Sequence, residues 1–198
     1  MYKTFEVGII PSIGLLIVLL IISELPIRHL KGLRFMTAEV DNTIYINPVI
    51  AGLEEAFNVQ LNCKIERTGL GLMENNQALY PVSGIIGISG KAVGTVVLSM
   101  SESVAIKAAA TMLLDPNLAE INDDVMDAVG EITNIVCGAA KAKLAQFQLS
   151  ISLPNVLCGA NCRLHFPQNS HPIFIPFKCA WGFLALQIGF ALSSNKTL

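Results

Sequence analysis

Glu131 and Asn134 stand three residues apart within residues 122–147, where apolar positions recur at helical spacing. Val125, Val129, Ile132, Val136, Ala140 and Phe147 form one stripe, and Asp127, Glu131, Asn134, Gly138 and Lys141 follow the same three-and-four spacing about half a turn away. One face of such a helix packs on a core, and the other displays a carboxylate and a carboxamide one turn apart. The carboxylate accepts hydrogen bonds and pairs with cations, whereas the carboxamide donates and accepts without carrying charge. Asn122 or Asp123 suits the N-cap, and the acidic residues of the first turn suit the helix dipole. The pair alone says little, because solvated helix faces carry such residues routinely. A second Glu-x-x-Asn occurs at Glu55 and Asn58, but it closes its helix and has neither a preceding acidic residue nor a following glycine.

The longer string is more specific. Asp127, Glu131 and Asn134, followed by Gly138 and, after the next apolar run, by Pro154, resemble the CheC/CheX family of chemotaxis phosphatases. The likeness is closer to CheX, because only one helix carries the motif in this position. It covers roughly residues 38–192, with its specificity concentrated in 121–159 and weaker support from Ile173–Phe177. In that family the acidic residue and the asparagine enter the active site of a phosphorylated response regulator, so the resemblance implies hydrolysis of another protein's aspartyl phosphate. Asn134 would then orient the attacking water, as a glutamine does in GTPases. Glu131, which a nearby phosphoryl group would repel, would pair with a lysine of the partner. Gly138 would permit close approach, and Asp127 and Lys141 would contribute at the rim of the contact. The resemblance implies no cofactor in this chain, Mg²⁺ in the partner receiver domain, and a homodimer. The apolar run Val93–Leu98 offers an edge for that dimer. Two departures stand out: Ala139 replaces the asparagine that often follows the glycine, and Pro154 arrives somewhat early. The rival reading is a non-catalytic CheX-like module that docks on a response regulator or a flagellar-switch component.

The elements that would hold this helix can be read in turn. Residues 44–57 suggest a first helix, with Asn47 as N-cap and Pro48 at its first position, and Gln60–Arg67 alternates as a strand. Val82–Ser89 and Ala92–Met100 form a hairpin about Gly90-Lys91. The glycines before Lys91 do not form a phosphate loop, because Ile85 stands where that motif needs glycine and no Ser or Thr follows the lysine. Ser101 caps an alanine-rich helix to Leu114, Leu149–Leu157 is a strand, and Ile173–Phe177 with Gly182–Leu192 makes a second hairpin. Helix, strand and hairpin thus occur twice, in 44–100 and 122–192, with a helix between. This predicts an α+β fold: a two-layer α/β sandwich of about six antiparallel strands with long helices on one face. The resemblance implies the same CheC-like fold.

Composition limits the alternatives. The chain has 198 residues, 53% hydrophobic and 14% charged, and much of the apolar excess lies at the start. Val7–Ser23 has no charged residue, and residues 7–27 are just long enough to suggest a single membrane anchor, with Arg28, Lys31 and Arg34 after it. The favoured expectation is instead a mis-assigned start. Residues 1–35 would form a hydrophobic extension and residues 36–198 the CheX-like domain, which Met36 opens cleanly. From Met36 onward nine Lys and Arg face thirteen Asp and Glu without a basic run, so nucleic acid is excluded as a partner. Five cysteines, an odd number without a C-x-x-C, suggest reduced thiols in the cytoplasm. Cys158, Cys162, His165 and His171 are zinc-type ligands within one loop, but their spacing is not a recurrent zinc pattern, and no metal is expected. Trp181, just before Gly182, suits the core or an interface.

Overall fold

The two apolar hairpins build the centre of one antiparallel sheet, and the helices cover one of its faces. The structure is a computed structural model and describes residues 43–192; the expected anchor or mis-assigned start in residues 1–35 lies outside them. Among the described residues no helix is long and apolar enough to cross a membrane. In chain order the elements are α1 (Thr43–Glu55), a π-helical stretch (Ala56–Gln60), β1 (Ile65–Arg67), β2 (Gly71–Leu72), β3 (Val82–Ser89), β4 (Ala92–Met100) and α2 (Glu102–Leu113). They continue with α3 (Asp123–Lys143), a 3₁₀ turn (Ala145–Phe147), β5 (Ser150–Ile151), β6 (Asn155–Cys158), β7 (Ile173–Cys179) and β8 (Gly182–Leu192).

The sheet runs β1-β7-β8-β4-β3-β5, with β2 also on β7 and β6 also on β3. Eight strands therefore fill six positions, because two short strands share each edge. The order also reveals how the two repeats combine. The hairpins β3–β4 and β7–β8 meet at the central β4–β8 ladder, and the first strand of each repeat crosses to the hairpin of the other. β1 lies on β7, and β5 lies on β3. Each repeat thus completes its partner's sheet and cannot satisfy its own edge alone.

Four expectations need correction. The run Val93–Leu98 is no edge, because β4 is hydrogen-bonded to β3 on one side and β8 on the other. Its backbone groups are used within the chain, and among the described residues the sheet edges are β1–β2 and β5–β6. Pro48 lies inside α1 and Asn47 does not cap it. The additional turn before the proline carries Tyr45 into the core, with its ring 4.9 Å from that of Phe147 and 5.2 Å from that of Phe190. This aromatic packing offsets the hydrogen bond that a proline removes from a helix. The strand expected over Gln60–Arg67 pairs only from Ile65. Burial does alternate from Leu61 to Ile65, but the π stretch runs to Gln60 and Asn62 takes a left-handed φ of 45°. The strand expected over Leu149–Leu157 is split. Ile88 faces Ile151 and Ile85 faces Asn155, so Ser152–Pro154 contain one residue too many for the ladder and form a bulge. Ser152 holds that bulge, since its N–H donates to the Gly87 carbonyl at 2.9 Å and its Oγ accepts from the Gly87 N–H at 3.0 Å.

The helix-side face of the sheet, with Val82, Ile86, Val96, Leu98, Leu184, Leu186 and Ile188, packs on Leu53, Phe57, Val129, Ile132 and Val136 in one core. Val104, Ala105, Ala108 and Ala109 of α2 are fully buried, as the alanine-rich sequence predicts. Segments 73–80 and 159–170 lie against the opposite face. Gln187, fully buried on β8, ties the first of them down. Its Oε1 accepts from the Leu79 N–H (3.1 Å) and Ser99 Oγ (2.9 Å), and its Nε2 donates to the Gln77 carbonyl (2.8 Å). Ser99 and Ser83 share a further bond of 2.9 Å between their hydroxyls. A leucine at 187 would remove three bonds and leave the part-buried Leu79 N–H and Gln77 carbonyl without this partner, while Ser99 keeps Ser83. The cost is about 1–3 kcal/mol for each group left unpaired before relaxation. Gln187→Leu is expected to lower the urea midpoint by an amount equivalent to roughly 2–3 kcal/mol, while the far-UV spectrum of the folded protein stays unchanged.

Candidate functional site

α3 is the middle helix of its layer and touches α1, α2, β3 and β6. Its start is fixed by Asn122, whose Oδ1 accepts from the Val125 N–H at 3.0 Å. Asp123 and Asp124 occupy the first turn and Lys141 and Lys143 the last, in the order that complements the helix dipole. Three close approaches fix the rotation of the helix. Thr133, fully buried, bonds its hydroxyl to the Val129 carbonyl at 2.7 Å and occupies the space where a side chain on Gly84 would go. On one flank, a Cβ on Gly52 of α1 would lie 2.6 Å from the Val136 carbonyl and 3.4 Å from the Ala139 Cβ. On the other flank, a Cβ on Gly130 would lie 3.3 Å from Val156 and 3.6 Å from Pro154. Sheet, α1 and the β5–β6 edge therefore grip three sides of α3.

The remaining side carries the residues singled out in the sequence. Asp127, Glu131 and Lys141 are exposed, and Asn134 and Gly138 are half-buried. Asn134 is one turn past Gly130, so it stands on the flank where Pro154 closes in. Among the described residues neither Glu131 nor Asn134 makes a side-chain hydrogen bond or ion pair; the ion pairs are Lys143–Glu55 (3.8 Å) and Lys178–Glu66 (3.2 Å). Both side chains thus face outward from a rigid helix with their bonding capacity unspent. Among the described residues a Cβ on Gly138 would meet no atom within 4 Å, so their packing does not require glycine there. Beside it, Gly138, Lys141, Ala142, Ala145, Gln148 and Leu149 line an open hollow of about 380 Å³.

The other candidates separate cleanly from this face. Glu55 and Asn58 fall on either side of the change from α- to π-helix, so their three-residue spacing does not set them one above the other as in α3. Glu55 is also paired with Lys143. Cys137, next to Gly138 in sequence, is buried and its thiol is pushed up to about 12 by desolvation, which removes it as a nucleophile. Among the described residues no three His, Cys, Asp or Glu side chains come together to hold a metal ion. In the 158–171 loop, Cys162 donates instead to the Gly159 carbonyl at 3.4 Å.

Two features of the site have no separate signal in the sequence. The first is the bulge that sets Pro154 against α3 and leaves Leu153, 87% exposed, beside the polar stripe. The second is the contact that explains Ala139: it packs towards Gly52 of α1, on the flank away from Asn134, so its identity bears on helix packing.

Comparison with known proteins accords with this geometry. The family model for the chemotaxis phosphatase CheX matches residues 82–178, which span the central hairpin, α3 and β7. Over these residues the chain is similar to the CheX family. A CheX protein from Vibrio vulnificus is similar in structure, with 29% identity, a TM-score of 0.66, and coverage of 74% of this chain and 99% of its own. A CheC-like superfamily protein from Shewanella sp. PV-4 has 26% identity, a TM-score of 0.67, and coverage of 76% and 99%. A CheX from Borrelia burgdorferi, solved in complex with CheY, BeF3 and Mg²⁺, shares the fold at 22% identity and a TM-score of 0.60, with coverage of 74% and 97%. No curated protein sequence matches the chain.

The glycines of this domain allow a paired prediction. Gly138→Ala is expected to raise stability by about 0.5–1 kcal/mol, the usual gain for alanine within a helix. Gly84→Ala is expected to lower it by about 1–3 kcal/mol, because Thr133 must give way. Urea unfolding of both variants reads the opposite signs.

Proposed function

We propose that this protein hydrolyses the aspartyl phosphate of a CheY-like receiver domain, using the free face of α3. The observation that carries the reading is the placement of Glu131 and Asn134 one turn apart on the ungripped side of a fixed helix, with no partners among the described residues. A partner-facing pair with unspent bonding capacity, beside a glycine that packing among those residues does not need, suits insertion into a shallow site on another protein.

The chemistry follows from the residue types. An aspartyl phosphate is an activated acyl phosphate, so hydrolysis mainly requires a water held in line with the bond that breaks. The Asn134 carboxamide accepts a hydrogen bond from that water, and its N–H₂ can donate to a phosphoryl oxygen without bringing negative charge. Water oxygen bonds to phosphorus, the bond from phosphorus to the aspartyl oxygen breaks, and the aspartate and inorganic phosphate leave. Glu131 sets the register by accepting from a lysine of the receiver domain, as a charge-assisted pair. Asp127 and Lys141 lie at the rim, where single charges add little affinity. Mg²⁺ belongs to the acidic pocket of the partner and neutralises phosphoryl charge there. The CheX–CheY–BeF3–Mg²⁺ complex of the Borrelia relative supports a partner of this kind.

The test is the decay of a phosphorylated receiver domain in Mg²⁺ with increasing amounts of the protein. Asn134→Ala is expected to lower kcat about 10²-fold or more with little change in KM, because the water loses its orienting group. Glu131→Ala is expected to act mainly through KM, by roughly ten- to a hundredfold, as for loss of one buried charge pair. Wild-type turnover by Asn134→Ala would overturn the assignment. Binding without any acceleration by the wild-type protein would make it a docking module.

A further inference from the structure

Away from α3, two cysteines meet where the repeats exchange strands. Cys63 lies just before β1 and is 4% exposed, with its N–H donating to the Phe57 carbonyl at 2.9 Å. Cys179 ends β7 and is directly opposite Ile65, the first residue of β1. The buried alternation of Leu61, Cys63 and Ile65 turns Cys63 to the same side as Ile65, which makes it the diagonal neighbour of Cys179. The register thus sets the two thiols beside one another, near enough for Cys179 to raise the pKa of Cys63. Neither is in a disulfide. Their exposures differ. Cys179 is half-buried and borders an open hollow of about 400 Å³ lined also by Lys64, Ile65, Glu66, Lys178 and Ala180. Cys63 sits behind it.

We propose that Cys63 and Cys179 form a reversible redox pair, in which Cys179 reacts with a hydroperoxide entering through the hollow and Cys63 resolves the product as a disulfide. The Cys179 thiolate attacks the O–O bond of the peroxide, which breaks to give a sulfenic acid on Cys179 and release the alcohol, or water from hydrogen peroxide. The Cys63 sulfur then displaces the sulfenic oxygen as water, and the S–S bond forms. Two thiols lose two electrons and the peroxide gains them. The division of labour follows the surroundings. Burial first, and the neighbouring Cys179 second, push the Cys63 thiol up to about 11, which suits a protonated partner shielded from direct oxidation. Cys179 borders the open hollow, where Lys178 is already paired with Glu66 at 3.2 Å, so what distinguishes it from the buried Cys63 is access to solvent rather than local charge. The cross-link would join the first repeat to the second at the exchanged β1–β7 edge, and a dithiol reductant would release it.

The experiment treats the reduced full-length protein with hydrogen peroxide, alkylates free thiols and maps the cysteines by mass spectrometry. The expected product is a Cys63 peptide linked to a Cys179 peptide, lost again after dithiothreitol. In Cys63→Ser, with its folded far-UV spectrum confirmed, Cys179 should instead be trapped by dimedone as the sulfenic acid. In Cys179→Ser, Cys63 should stay reduced at the same peroxide dose. Cys179 alkylated as completely after peroxide as before, in folded wild-type protein, would overturn the proposal. So would a Cys158–Cys162 disulfide as the sole product, or oxidation of Cys63 in the Cys179→Ser variant.

Discussion

Gly84 has no room for a side chain, because Thr133 of α3 occupies the space where one would stand. That contact sets the distance between the middle helix and β3. With Gly52 and Gly130 it also sets which way the helix faces. Gly84 of β3 and Gly52 of α1 let the sheet and the neighbouring helix approach α3, and Gly130 of α3 itself lets the β5–β6 edge approach. Turning the helix by one residue, about 100°, would bring polar side chains into the core and carry Asn134 off the open side. The chemistry proposed for Glu131 and Asn134 therefore depends on glycines that touch no ligand.

The same logic explains the edge of the sheet beside the site. A regular strand after α3 would lie flat on β3, whereas the bulge at Ser152–Pro154 lifts Pro154 against Gly130. Bulges re-aim a chain next to functional positions more often than elsewhere. Here the bulge closes one flank of the helix and leaves Leu153 open to solvent beside the polar stripe. The exchanged strands have a related consequence. Because β1 completes the second hairpin and β5 the first, the helix that bears Glu131 is anchored through both repeats.

Much of this was legible in the sequence. The hairpins β3–β4 and β7–β8, the start of α3 with its Asn122 cap, and the helix–strand–hairpin repeat all follow from apolar period and turn residues. The helical pattern carried on to Gln148, whereas α3 ends at Lys143 and Phe147 lies on a separate 3₁₀ turn. The Glu131–Asn134 stripe was equally plain, because one face of α3 is buried throughout and the other is not. Short-range pattern failed where tertiary contacts decide. Pro48 looks like a helix start until Tyr45 finds Phe147 and Phe190. Val93–Leu98 looks like an edge until β8, ninety residues on, covers it. Gln187, inside an apolar run, has no sequence signal for its bonds to the 77–79 segment. Glu131 and Asn134 could be named from spacing, but the reason they stay free lies in what grips the other three sides of the helix.

The most direct measurement is the backbone amide NMR spectrum of the protein as a BeF3-activated receiver domain is added in Mg²⁺. The account predicts that the perturbed amides cluster along the open face of α3, at Asp127, Glu131, Asn134, Gly138 and Lys141, and extend to the Leu153 bulge. The unactivated receiver should shift them far less at equal concentration. Perturbations confined to the β1–β2 edge or the outer face of the sheet, with α3 unmoved, would contradict it.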